Sequence, residues 1–250
     1  MFAARLGIAL TVVVIAVVAL AATTTADRRA VGCPVGGADE ARQPYWVRAR
    51  RVTYLADSVI LSAKPALRTK RCWGVSIRGR PALMIDDAAR TLRARGRRVA
   101  PLAVVGLGYN SLWERGGRRF GYWAARFDRE ARTLLRTLRR LGARQIVWVT
   151  LRQPTAAFVP PAGLSQVRRY SWYFPWVNQR LRRLARRRRD LVLADWRKSS
   201  DRRGLTYDAI HVNTRGAGVM SRTIWRAVER EARRQAARRG PERLRPRRRF

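Results

Sequence analysis

Asp208 and His211 stand three residues apart in "YDAIHVNTRGA" (207–217), and His211 is the only histidine in 250 residues. An imidazole with a carboxylate beside it can act as a general base, the acid fixing its tautomer. Such a base needs a nucleophile and donors for a developing oxyanion, and the chain offers both. "LADSVILSAKPAL" (55–67) carries Asp57-Ser58 ahead of a helical pattern. A serine there can expose its hydroxyl and aim its N–H at an oxyanion. "VVGLGYNS" (104–111) puts Gly106 and Gly108 where backbone can approach closely and Asn110 where an amide can donate. Each residue also has a plainer use. Ser58 could only cap a helix, Asp57 and Asn110 could only shape turns, and His211 could be a satisfied polar contact. Chemistry requires a fold that gathers them.

The elements that must do this are legible in the hydrophobic pattern. Short apolar runs at 51–58, 72–79, 97–108, 144–151 and 190–196 read as strands, continuous enough to be buried on both faces. Between them lie helical patterns at 59–67, 81–96 (Pro81 near its first turn, Gly96 at its end), 119–142, 174–189 and 214–239. Strand and helix alternating with short connectors predict a doubly wound, flavodoxin-like α/β fold with a five-stranded parallel sheet between helices. Ligands of such sheets bind beyond the carboxyl ends of the strands, where Ser58, Asn110, Asp208 and His211 all fall.

"ADSVILSA", "GLGYN" and "DAIHVNTRGA" resemble the first, third and fifth sequence blocks of the SGNH (GDSL-type) hydrolases, in order, over roughly residues 50 to 235. The resemblance implies an SGNH hydrolase-like fold and an esterase or acyltransferase activity that needs no cofactor. It implies Ser58 as nucleophile, His211 as base and Asp208 as its orienting acid. The oxyanion hole would use the Ser58 N–H, the Asn110 side chain and a second-block glycine N–H, with Gly108 lining the substrate. Two departures stand out. Ala56 occupies the first-block position where the family usually has glycine, and no second-block glycine stands out, with Ala89 the best match and Gly79 the lesser one. No G-x-S-x-G elbow occurs, and "GLGYN" lacks the glycine spacing and lysine of a phosphate loop.

Composition sets the surroundings. The net charge of +39 is almost entirely arginine, since Lys64, Lys70 and Lys198 are the only lysines. It is read as solvated arginine faces first and as affinity for an anionic envelope polymer or lipid surface second. Arg5 followed by the apolar run Leu6 to Ala22 predicts a signal peptide or membrane anchor over 1–26, and hence an exported chain, secreted or anchored to the outer face of the cell membrane. Export makes nucleic acid an unsuitable partner. The expected organisation continues with a linker over 27–50, the catalytic domain over 51–236 and a basic tail over 237–250. A monomer acting on an acylated carbohydrate or lipid is expected. Cys33 and Cys72 are expected to pair, closing a loop worth about 4 kcal/mol in the chain-entropy model. One histidine and two cysteines do not make a zinc site. The aromatics Tyr170, Trp172, Tyr173, Phe174 and Trp176 are read as burying a helix entry, with stacking on sugars or acyl chains the rival use. Arg119, Arg126 and Arg152 are further candidates for anion contacts.

Overall fold

The computed structural model describes residues 50–70, 72–111 and 120–239. The chain runs β1 (Arg51–Ala56), α1 (Ser58–Ser62), α2 (Lys64–Leu67), β2 (Gly74–Gly79), α3 (Ile85–Arg95), β3 (Leu102–Gly106) and α4 (Phe120–Arg140). It continues with β4 (Gln145–Val149), α5 (Leu164–Tyr170), α6 (Tyr173–Arg186), β5 (Leu191–Ala194), α7 (Trp196–Ser199) and α8 (Thr214–Arg239). The five strands form one sheet in the order β2-β1-β3-β4-β5, and every pair is parallel. β3 and β4 are buried along their whole length and β1 at all but its first residue, as their unbroken apolar runs require. The edge strand β2 is half exposed, matching its weaker sequence pattern.

The register aligns the strand ends. Ala56 pairs with Gly79 on one side and with Gly106 on the other, and Val149 pairs with Ala194. From β1 the chain crosses first to β2 and then back to β3 on the opposite side. This reversal opens a crevice at the carboxyl ends of β1 and β3, the location where such sheets hold ligands. Ser58 follows one of these strands and Asn110 the other.

Two local differences from the sequence pattern have physical causes. The helix expected from Pro81 begins at Ile85, because Ala82 takes a left-handed φ of 55° that an α-helix cannot contain. Between β4 and α6 the chain makes 3₁₀ turns at 156–158 and 161–163 and then α5, in a stretch punctuated by Pro154, Pro160 and Pro161. The final helix spans Thr214–Arg239, the extent its sequence pattern predicts. The apolar segment at 1–26, the linker to residue 49, Cys33 and the tail beyond 239 lie outside the described residues, and with Cys33 lies its pairing with Cys72. Among the described residues no helix is long and apolar enough to cross a membrane.

Candidate active site

The first block is built by β1 and capped by its own side chain. Asp57 ends the strand and caps α1, its Oδ1 accepting from the Val59 N–H at 3.0 Å and the Ile60 N–H at 3.4 Å. Ser58 is therefore the first helical residue, its N–H outside the intrahelical ladder. The turn is pressed against β3, with Asp57 N–H donating to the Gly106 carbonyl at 3.3 Å. Gly106 permits this approach: a Cβ there would lie 2.0 Å from Ile60 Cγ1.

His211 arrives on a loop closed on itself. Thr206 and Val212 form an antiparallel bridge, the Tyr207 N–H donates to the His211 carbonyl at 3.1 Å, and the Asn213 N–H donates to the Leu205 carbonyl at 3.1 Å. Asn213 then starts α8, its Oδ1 accepting from the Gly216 N–H at 2.9 Å. Inside the loop, Asp208 Oδ1 accepts from the Ile210 and His211 amides at 2.8 and 2.7 Å. Its Oδ2 lies 2.7 Å from His211 Nδ1, and His211 Nε2 lies 2.9 Å from Ser58 Oγ. The two halves also touch directly, the Val212 N–H donating to Ser62 Oγ of α1 at 3.3 Å. Ser58, His211 and Asp208 thus form one continuous hydrogen-bonded chain across 153 residues of sequence.

The third block supplies a donor without a partner. Asn110 Nδ2 is buried and has no hydrogen-bond partner among the described residues, so it is free to donate to a ligand oxygen. Gly108 has a φ of +137°, which swings the chain toward the crevice. Its carbonyl accepts from Tyr173 Oη at 3.1 Å and from the Ser111 N–H at 3.3 Å, so the turn is fixed from two sides. Tyr109 is buried beside it, its Oη accepting from the Arg152 N–H at 2.7 Å. The aromatic cluster mostly serves this packing: Tyr173 and Phe174 are buried, Trp176 stacks on Tyr173, and Trp172 alone is 54% exposed. The Tyr170 side chain lies outside the described residues.

No family model matches the sequence, and no curated protein matches it. Solved structures do. A GDSL-like lipase from Bacteroides thetaiotaomicron superposes with a TM-score of 0.57 at 15% identity, covering 78% of this chain and 95% of that one. A lipase/acylhydrolase from Enterococcus faecalis gives 0.56 at 13%, over 73% and 96%. An acetyl xylan esterase gives 0.55 at 17%, over 71% and 99%. The chain has the SGNH hydrolase fold.

Within this SGNH fold the electrostatics of the two acids diverge. Burial pushes the Asp57 carboxyl up to about 7, and its two amide hydrogen bonds only partly offset the lost hydration. Burial also acts on Asp208, but the His211 ring and the two loop amides outweigh it and hold the carboxyl down at about 2. Among the described residues no group of three acids, cysteines or histidines could hold a metal ion.

The second-block expectation needs correcting. Ala89 lies inside α3, only 1% exposed, and the α-helical hydrogen-bond register is already established at Ala88, whose N–H donates to the Met84 carbonyl at 3.0 Å. The Ala89 N–H is therefore spent within the helix. Gly79 is the last residue of β2, in register with Ala56. Ala82, in the turn between β2 and α3, is the described residue of this stretch with an unusual backbone. Its left-handed backbone is the conformation a glycine would favour, and its residue type gave no sign of it. Ala56 is fully buried at the end of β1, so the first-block departure is absorbed by packing. Of the arginines considered for anions, Arg126 already pairs with Asp86 and Glu130. Arg152 is 1% exposed and donates to Thr206 Oγ1 at 3.0 Å and the Phe158 carbonyl at 3.0 Å, fastening the base loop from beneath. Arg119 lies outside the described residues.

Proposed function

We propose that the chain is an exported serine esterase or acyltransferase acting on small O-acyl groups of an envelope carbohydrate. The observation that carries this reading is the Ser58–His211–Asp208 chain, at 2.9 and 2.7 Å. His211 Nε2 takes the Ser58 proton as Oγ attacks the ester carbonyl. The Ser58 N–H and Asn110 Nδ2 stabilise the charge on the former carbonyl oxygen. Collapse of this intermediate breaks the ester C–O bond, and His211 returns the proton to the leaving alcohol. The acyl group on Ser58 is then removed by water or by a second sugar hydroxyl. Export rests on the apolar Leu6–Ala22 segment behind Arg5.

Tyr207 supports a carbohydrate acceptor. Its ring is parallel to the His211 imidazole within 8°, with centroids 5.6 Å apart, yet it remains 59% exposed. A flat aromatic surface beside the base suits the C–H face of a sugar ring. The similar acetyl xylan esterase carries an acetylated polysaccharide in its name, which agrees with this choice. A fluorophosphonate probe should label wild-type protein at Ser58 and leave Ser58→Ala unlabelled. Absence of labelling in folded wild type would return the chain to the class of non-catalytic, cationic envelope-binding proteins. Tyr207→Ala should raise KM on an acetylated xylo-oligosaccharide by about three- to tenfold, as expected for one stacking contact, while sparing p-nitrophenyl acetate. An equal loss on both esters would reduce Tyr207 to packing against the imidazole.

A further inference from the structure

A cavity of about 520 Å³ lies over β5, with Arg182, Arg186, Arg188, Arg189 and Arg234 around an apolar floor that includes Leu191 and Leu193. We propose that this cavity binds a phosphate-bearing ligand.

Three features lead there. The lining contains five guanidinium groups and no carboxylate. The nearest acids do not balance them: Asp190 approaches Arg188 Nε at 3.4 Å but is shared with Arg139, and Glu231 is 3.7 Å from Arg234. Arg182, Arg186 and Arg189 have no ion-pair partner among the described residues. Five like charges around one concavity repel each other, and an anion seated between them relieves that repulsion. Arg188 also carries two buried donors, Nε and Nη2, without a hydrogen-bonded acceptor. Buried guanidinium donors left unsatisfied are costly, and phosphate oxygens match their fork geometry. The volume exceeds what one inorganic phosphate needs and falls in the range of small-molecule sites.

Its place in the fold separates it from the ester chemistry. All strands are parallel, and Arg186 to Arg189 lead into the amino end of β5, whereas Ser58, Asn110 and His211 lie at the carboxyl ends. Arg234 stands 20 residues after the start of α8, about 30 Å along its axis at 1.5 Å per residue. The chain also enters β1 at this amino end of the sheet. A phospholipid headgroup and a soluble phosphate ester both offer phosphate oxygens to these guanidinium groups.

The test uses the full chain in neutral detergent micelles at 150 mM sodium chloride. Inorganic pyrophosphate is titrated against wild type, against Arg182→Gln/Arg186→Gln/Arg189→Gln, and against a charge-matched control, Arg93→Gln/Arg129→Gln/Arg132→Gln. These three control arginines are exposed on α3 and α4. The expected result is saturable binding that weakens at least tenfold in the cavity variant and less than twofold in the control. Doping the micelles with phosphatidylglycerol or phosphatidylcholine then assigns the source. Competition by the anionic lipid alone identifies a headgroup, and no competition by either identifies a soluble phosphate ester. Equal weakening in both variants, or no saturable binding by wild type, overturns the proposal.

Discussion

The turn after β1 and the loop before α8 each bring an aspartate close to the reacting atoms, and they treat it in opposite ways. Asp57 is fully buried, with Oδ1 capping α1 and Oδ2 without a partner. Asp208 is partly exposed, and both its oxygens are engaged by the backbone or the imidazole. Burial without enough partners favours the neutral acid, whereas three donors favour the carboxylate. The fuller negative charge is thus placed where an imidazolium would form, and the lesser one beside the serine, where an oxyanion would form. An ionised Asp57 one residue from that oxyanion would oppose it.

The sharpest way to break this contrast is Asp208→Asn. If the loop supplies the charge that orients and supports His211, kcat should fall by about 10³- to 10⁴-fold with the fold intact. A loss under tenfold, measured on any ester that wild type cleaves, would remove Asp208 from this role. On the serine side, Asn110→Ala tests the unpartnered donor. It should lower kcat by about 10²- to 10³-fold while KM changes little. Steady-state kinetics that show the reverse split would make Asn110 a substrate-binding group only.

Smaller effects probe how each segment is held. Arg152→Met keeps the length of the side chain but removes the donors beneath the base loop, leaving Thr206 and the Phe158 carbonyl without them. A loss of about 2–3 kcal/mol in chemical denaturation is expected from a charged donor of this kind, with labelling at Ser58 slowed but not abolished. The smallest effect belongs to Asp57→Asn, which retains a capping oxygen. A carboxyl raised to about 7 in the fold contributes stability that is complete below its unfolded value near 4 and is lost as pH rises toward 7. The variant should therefore show a flatter thermal-stability profile between about pH 4 and 7 than wild type. Asp208, held at about 2, works in the opposite sense, its contribution being lost as pH falls from about 4 to 2. Identical profiles for wild type and Asp57→Asn would mean that Asp57 is ionised normally in the folded chain.

How much of this could be read in advance follows from the range over which each interaction acts. The apolar runs of β1, β3 and β4 already required strands covered on both faces, and their alternation with helical periods required a parallel sheet. Ser58, Asn110, Asp208 and His211 could be named because each sits at a strand end or helix entry within a short, ordered block. Everything that depends on a backbone angle or a distant neighbour had to wait for the fold. Ala82 could not be found from its side chain, since its distinction is a φ of 55°, and Ala89 matched a pattern while its N–H was already used by the helix. Arg152 looked like any other arginine until burial made it the anchor of the base loop. The arginine cavity likewise depends on α6, β5 and α8 meeting at one edge of the sheet. Residue type and periodicity fix which groups can react and which faces must be buried. Only tertiary packing decides which donors remain unpaired, because a hydrogen bond between residues 153 positions apart leaves no local trace in the chain.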